Sequence, residues 1–370
     1  MNNTARQLIQ VSAFSLLSCG SVGFAIASDV SSAVEKAYSK TKTASTIEDY
    51  TEVIQLCEQG QAQELSTEDK DYAKRLASWA FNRRGEARTE LAAAALKKGD
   101  EQQAAKLDAQ ALSDFEAAVQ RDAKRWKALH NRGVSYAVAH KYEAAIADFS
   151  RVIELNKIYG NAWFNRGEIH YELSQFAEAI RDYSSAIQLK RDDAGAYTSR
   201  GHVYFRLRRF RESLNDYSRA VQLAPSSGDA YTNRGDAYQS LGMWESAASD
   251  FRRATDLDPQ SARAYQSAAW LMATCPDARY RNTRLAVQAA NRAVSLLPQK
   301  DQRYLDTLAA AQANAGQFDE AKTTLAEAIA LAPAAEHDGL KKRLALYNAQ
   351  QPYRQDRAQT AGNSDQDRSR

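Results

Sequence analysis

Proline and glycine are scarce in this chain. Six Pro and 16 Gly in 370 residues are about 2% and 4%, against typical usage of roughly 5% and 7%. So few breakers over such a length predict a chain that is mostly helix. Three Cys exclude a disulfide-dense scaffold, and no Cys/His group has the spacing of a zinc site. Neither sign of charge dominates, with 49 Lys and Arg against 46 Asp and Glu. That balance leaves no basic footprint for nucleic acid and no acidic tail. Also missing are a Walker-type phosphate loop, a Gly-x-Gly-x-x-Gly turn and a Gly-x-Ser-x-Gly elbow. The five His (130, 140, 170, 202 and 337) form no His-Glu-x-x-His arrangement. Carboxylate pairs are inevitable by chance among so many Asp and Glu, and carry no weight for glycosidase chemistry. The expectation is a chain that is not an enzyme and holds no metal or cofactor.

Long apolar runs are confined to the N-terminus. Met1 to Ala27 has no acidic residue and one basic residue, Arg6, and an apolar run from Leu8 ends in Ala25-Ile26-Ala27 before Ser28-Asp29. Small residues flanking a larger one are what a signal peptidase accepts. Residues 1–27 therefore read as an export signal cleaved after Ala27, with the mature chain in the periplasm or outside the cell. A second reading is a lipoprotein: Leu16-Leu17-Ser18-Cys19-Gly20 resembles a lipobox, which would acylate Cys19 and bring the chain to a membrane. Val22 to Ala27 argues against it by staying apolar past the Cys. An uncleaved anchor is a third option, weakened by Gln10 and several Ser. No other segment approaches the roughly 20 apolar residues of a membrane-spanning helix. Cys57 and Cys275 lie in apolar helical contexts far apart in sequence. Buried free thiols are expected, although an export compartment permits disulfides.

A period of 34 organises almost everything else. Gly133, Gly167, Gly201 and Gly235 recur at that one interval, and each follows an Arg. Nine positions after each Gly comes an aromatic (Tyr142, Phe176, Phe210, Trp244), and seven further on comes another (Phe149, Tyr183, Tyr217, Phe251). Pro225, Pro259, Pro298 and Pro333 close four successive repeats. Such a period is the signature of a stacked helix–turn–helix. Each repeat is too short to bury its own apolar face, so it must stack on neighbours. In 160–193, helix A is expected from Asn161 to Leu173, a turn near Ser174-Gln175, and helix B to about Leu189. Ile180, Tyr183 and Ile187 then share one face. A Gly inside helix A costs about 1 kcal/mol relative to Ala, so its recurrence requires a close crossing by helix B. The phase of the aromatics marks them as core and not as a stacking platform for bases.

The pattern resembles the tetratricopeptide repeat (TPR) family, whose unit has the same length and carries Trp-x-x-Leu-Gly, Tyr, Ala, Phe, Ala and Pro in that order. Trp163, Gly167, Ala179, Tyr183 and Ala186 match in one repeat; Tyr231, Gly235, Tyr238, Ala247, Phe251, Ala254 and Pro259 match in another. The family's Leu before the Gly is Arg here. The resemblance spans about 78 to 335 and implies an all-α right-handed TPR superhelix, an α-solenoid of stacked hairpins of bacterial exported type. The expected organisation is a signal peptide (1–27), a helical region with a degenerate repeat (28–77), and a repeat carrying an insertion at Ala92 to Gln110 (78–125). Regular repeats follow (126–159, 160–193, 194–227, 228–261), then one with a loop insertion (262–301) and a last repeat (302–335). A capping helix (336–350) and a disordered polar tail (351–370) complete the chain.

Two sets of candidate residues follow. Arg precedes the Gly at 84, 132, 166, 200 and 234, and the same repeats place Asp before the helix-B aromatic at 114, 148, 182, 216 and 250. The last two repeats lose both, with Ala268 and Ala289 in one and Leu308 and Thr324 in the other. Joint presence and absence predict structural ion pairs Arg132–Asp148, Arg166–Asp182, Arg200–Asp216 and Arg234–Asp250, within a hairpin or between neighbours. The second set comes from the resemblance, which implies that A helices line an inner wall where extended peptides or partner helices lie. Asn131, Asn165, Ser199 and Asn233 would form one row there, with Tyr171, His202, Phe205, Asp236 and Trp270 nearby. An amide offers both donor and acceptor and can read a main chain; equally, Asn can serve the neighbouring A helix. A co-chaperone-type carboxylate clamp finds only Asn233 and Arg263 in register. The function this implies is a protein–protein interaction module or envelope scaffold binding an unidentified peptide or protein segment. The alternatives are a lipid-anchored envelope assembly factor or a regulatory subunit of an enzyme complex acting through its convex face, or a cryptic enzyme using the insertion segments.

Overall fold

The chain is seen in a computed structural model that describes residues 32–62 and 66–355. The export segment and Cys19 lie outside the described residues, as do residues 356–370. Among the described residues there are seventeen α-helices and no strand. They fall into two units, divided between Arg191 and Asp192.

The N-terminal unit contains α1 (Ser32–Thr41), α2 (Ile47–Gln61), α3 (Thr67–Lys97), α4 (Glu101–Arg121), α5 (Trp126–Val138), α6 (Tyr142–Leu155), α7 (Gly160–Glu172) and α8 (Phe176–Leu189). The C-terminal unit contains α9 (Ala194–Arg206), α10 (Phe210–Leu223), α11 (Gly228–Ser240), α12 (Trp244–Leu257), α13 (Ala262–Thr274), α14 (Thr283–Ser295), α15 (Gln302–Asn314), α16 (Phe318–Leu331) and α17 (His337–Asn348). Consecutive helices from α3 to α8 and from α9 to α16 pair as antiparallel hairpins. Each hairpin stacks on the next within its unit.

The turn inside each hairpin has one recurring chemistry. In α7/α8, the Gln175 N–H donates to the His170 carbonyl (2.7 Å) and the Ser174 N–H to that of Tyr171 (2.9 Å), the double closure of a Schellman cap. Ser174 at its centre takes a left-handed φ of 58°. The same closure recurs in register in other repeats, as Lys141 to Tyr136, Arg209 to Tyr204 and Met243 to Tyr238. His140 and Arg208 occupy the left-handed position in two of these, Gly242 in the third. A short turn of fixed geometry then sends helix B back along helix A.

Helix B arrives close because of the glycine. A Cβ on Gly167 would lie 2.9 Å from Cε1 of Tyr183, and one on Gly235 would lie 2.5 Å from Cε1 of Phe251. The helix-B ring therefore lies directly on the glycine and is itself buried, Tyr183 at 1% and Phe251 at 1% exposure. Burying such a ring stabilises by about 1.5–3 kcal/mol.

The Ala-rich insertion lengthens two helices, giving a 31-residue α3 and a 21-residue α4. Their extensions close a small core of Ala92, Ala95, Ala104 and Leu107. The second insertion is a loop between α13 and α14, with a short 3-10 turn at Ala278–Tyr280. Cys57 and Cys275 are free and buried, and burial pushes the Cys57 thiol up to about 12. Helix α17 caps the last hairpin through Leu340 and Tyr347, packed with Leu325 and Ala328.

One expectation needs correction. The sequence predicts an unstructured polar tail from Gln351, yet residues 351–355 pack against the C-terminal unit. The Gln351 N–H donates to the Leu346 carbonyl (2.8 Å), and the Gln355 N–H to that of Thr274 (2.9 Å). So short a stretch is too brief for any hydrophobic period, so its packing had no signature to read.

Substitution of Gly235 by Ala is expected to lower stability by a net of about 1 kcal/mol, because overpacking at about 2 kcal/mol exceeds the helix-propensity gain of about 1 kcal/mol. Ser174→Gly should raise it by up to about 1 kcal/mol, relieving a left-handed side chain. Thermal melts followed by circular dichroism measure both; an unchanged melt for Gly235→Ala would contradict the close-crossing assignment.

Candidate functional site

The Arg and Asp of each repeat meet across their own hairpin. Arg132 Nε and Nη2 donate to Asp148 at 2.8 and 2.7 Å, and Arg166 to Asp182 at 2.8 and 2.8 Å. Arg200 meets Asp216 at 2.8 and 2.7 Å, and Arg234 meets Asp250 at 2.7 and 2.8 Å. All four are bidentate forks, the geometry in which Arg binds carboxylate most strongly. Their carboxylates are only 4–7% exposed and their Arg side chains 19–21%. The hydrogen bond to Asp148 lifts the Arg132 guanidinium above its ordinary value against the opposing effect of burial. Arg200 and Arg234 are raised by Asp216 and Asp250 in the same way. In the first hairpin Asp114 takes both Arg84 and Arg88. Arg166 also reaches the preceding hairpin, from Nη1 to Ser150 Oγ at 2.9 Å. With their acceptors already filled, these charges hold helix A to helix B.

The Asn row does not lie open to a partner. Asn165 and Asn233 are 1% and 3% exposed. Asn165 Nδ2 lies 3.1 Å from His130 Nε2, and Asn233 faces His202 of the preceding A helix. Asn131 donates to Asn82 Oδ1 (3.0 Å) and Glu86 Oε1 (3.1 Å), and Ser199 is half-buried. Position two before the Gly points at the preceding A helix, so these three amides join A helices to each other. Burial drives His130 down to about 4 and lowers His202 to about 4 as well, with Arg263 adding to the effect. Tyr171 packs on Phe176 at its own turn, centroids 6.0 Å apart.

The remaining candidates converge. Phe205, Asp236 and Trp270 line one cavity of about 560 Å³ in the C-terminal unit. Its helical lining comes from α9, α11, α13 and α15, the A helices, and from the cap α17; no residue of a B helix contributes. Sequence reading missed most of its charge. Asp236 accepts from Arg263 Nη2 (2.8 Å) and Ser267 Oγ (3.1 Å), while Arg343 forks onto Asp306 at 2.8 and 2.7 Å. Burial raises both carboxyls, and the paired Arg opposes it in each. Arg303 and Glu336 complete a lining with three cations and three acids. Gln266, bonded to Thr307 (2.9 Å), and the Trp270 ring lie between them. No signal short of the tertiary placement of α17 would have brought Arg343 here. Among the described residues no group of His, Cys, Asp and Glu could hold a metal ion. Nor is any helix among them long and apolar enough to cross a membrane.

Comparison with known families bears on the repeat itself. Residues 167–207 match a TPR repeat model and residues 198–262 a second tetratricopeptide repeat model. Residues 167–262 thus consist of tetratricopeptide repeats. Tetratricopeptide repeats generally serve as non-enzymatic protein–protein interaction scaffolds, and this chain shares their stacked-hairpin fold. Among solved structures it is similar to YrrB, described as a TPR protein with an unusual peptide-binding site (21% identity, 52% of this chain and 95% of that one, TM-score 0.43). It is also similar to MamA from Desulfovibrio magneticus RS-1 (18%, 48% and 96%, 0.41) and to pilF of Pseudomonas aeruginosa (15%, 60% and 94%, 0.49). No curated protein matches the chain in sequence.

Two predictions follow from the TPR framework. Arg166→Ala and Asp182→Ala should each destabilise, by between about 1 kcal/mol for an exposed pair and 3–5 kcal/mol for a fully buried one. Their losses should be non-additive in a double-mutant cycle of urea midpoints; additive losses would dissolve the pair. The second concerns acid. The folded chain keeps His130 neutral down to about 4, whereas the unfolded chain protonates it near 6.5. Stability is therefore full above about pH 6.5 and falls as pH drops toward 4, by at most about 3 kcal/mol from this site. Urea midpoints at a series of pH values should show this fall, and His130→Gln should make it shallower, leaving the part that His202 contributes.

Proposed function

We propose that the cavity of the C-terminal unit binds an extended segment of a partner protein, and that the chain acts by binding and not by catalysis. The observation that carries this reading is the lining: A helices and the cap alone, with an indole and charges of both signs. A wall with three Arg and three acids suits a main chain bearing mixed side chains better than a nucleic acid or a uniformly acidic ligand. Trp270 offers a large rigid surface that loses little entropy on contact, as interface anchors do. Because stacked hairpins already hold that surface, little ordering is needed when the partner arrives. The Arg–Asp pairs support the wall from behind. We further propose that the module works in the cell envelope after export, on the strength of residues 1–27 with their Ala25-Ile26-Ala27 end.

Affinity capture from the native envelope fraction tests the site. Trp270→Ala should reduce recovery of the bound partner by about 30-fold if the indole is an anchor worth about 2 kcal/mol. Arg263→Glu, which reverses one rim charge, should reduce it too, with circular dichroism confirming that both variants fold. Equal recovery by wild type and both variants would remove the cavity as the binding site.

A further inference from the structure

The C-terminal unit already holds an extended segment. Beyond α17 the chain turns at Gln350, φ 54°, and crosses the ends of two A helices. Tyr353 packs on Trp270, ring centroids 5.8 Å apart, and the Arg343 guanidinium lies 5.4 Å from the Tyr353 ring. Arg354 donates from Nη1 to the Ala273 carbonyl and from Nη2 to Asn314 Oδ1, both at 2.9 Å. Gln355 donates its backbone N–H to the Thr274 carbonyl at 2.9 Å and its side-chain amide to Thr274 Oγ1 at 2.8 Å.

These contacts solve a problem left by the end of α13. The last four carbonyls of a helix have no partner within it. Here the Leu271 carbonyl takes the Cys275 N–H and that of Met272 takes the Asn282 N–H, both local to the hairpin. Those of Ala273 and Thr274 are completed by Arg354 and Gln355, far later in the chain. A helix C-terminus carries partial negative charge and favours a cation, and the Arg354 guanidinium supplies one. The set reads a sequence: ring on Trp270, guanidinium on a helix end and Asn314, then a main-chain N–H and amide on Thr274. None of it depends on the segment being covalently joined to α17. Trp270 and Arg343 also line the cavity, so a segment anchored there on the indole meets Tyr353.

We propose that the ends of α13 and α15, with Trp270, form a recognition site for an extended Tyr-Arg-Gln segment, which residues 353–355 occupy as a tethered ligand. A partner segment presenting the same order of groups displaces them. The displacement rests on the cavity reading above; the existence of the site does not. So short a tether supplies an effective concentration of about 1 mM. A free peptide of about 0.1 mM intrinsic affinity therefore binds the intact chain roughly tenfold more weakly than a chain whose strap is released.

A fluorescein-labelled peptide of residues 350–357, Gln-Gln-Pro-Tyr-Arg-Gln-Asp-Arg, provides the probe, read by anisotropy. Full-length chain carrying Tyr353→Ala and Arg354→Ala should bind it about tenfold tighter than wild type. The peptide with the same two substitutions should bind neither. Equal binding to the two chains, or no binding to a released chain whose melting curve shows it folded, overturns the assignment. If the double variant fails to fold, Arg354→Ala alone, which leaves Tyr353 in place, carries the same comparison. Peptide binding alongside partner capture that ignores Trp270→Ala keeps the site and removes the cavity reading; the opposite pair of results removes the tethered ligand and keeps the cavity.

Discussion

Everything in this molecule depends on how closely helix B crosses helix A. The crossing is a contact between an aromatic ring and a glycine, tightened on one side by an Arg–Asp fork. Gly167 and Tyr183 make the contact while Arg166 and Asp182 make the fork, so neighbouring positions on each helix perform both tasks. The glycine has no other evident use, since its Cβ space is filled by the ring. The fork places a nearly buried carboxylate against a partly exposed guanidinium. That arrangement fixes the pairing of the two helices while leaving the cation partly hydrated, which lowers the desolvation penalty of an ion pair.

What the crossing uses up determines what is left for function. On each A helix the glycine and the preceding Arg face helix B. The residue two before the glycine is committed to the previous A helix, as Asn131, Asn165 and Asn233 show. Positions one and four after it remain, and Asp236, Gln239 and Phe205 line the cavity from there. In the last two hairpins the fork disappears, and the crossing is filled by small residues such as Ala269, Ala273, Ala286, Ala290 and Ala311. Charge pairs reappear there on the other side of the A helix, as Asp236–Arg263 and Asp306–Arg343. The last two hairpins thus lack ion pairs in their interior, while the wall of the cavity carries them.

The fold was legible because a single sequence period states the same packing many times over. Any one glycine or aromatic would carry little weight, but Gly133 to Gly235 and Phe149 to Phe251 repeat one contact in one phase. The Arg–Asp forks were legible for the same reason, since loss of one partner accompanied loss of the other. The Asn row was legible as a row but not as to direction. A repeated polar residue on an A helix can face the open wall or the neighbouring helix, and only the stacking distance decides. Arg343 reads as one more charge on a polar helix until α17 is docked beside Asp306. The strap at 351–355 had no periodicity at all, and its register depends on where the end of α13 lies in space.

Photo-crosslinking in the native cells tests the central claim most directly. A photoreactive benzoylphenylalanine at Gln266, in the cavity of the C-terminal unit, is to be compared with one at Arg252, exposed on the B helix α12. The account predicts an adduct to a discrete partner polypeptide from position 266 and none from position 252. A partner adduct from 252 with none from 266 would contradict it.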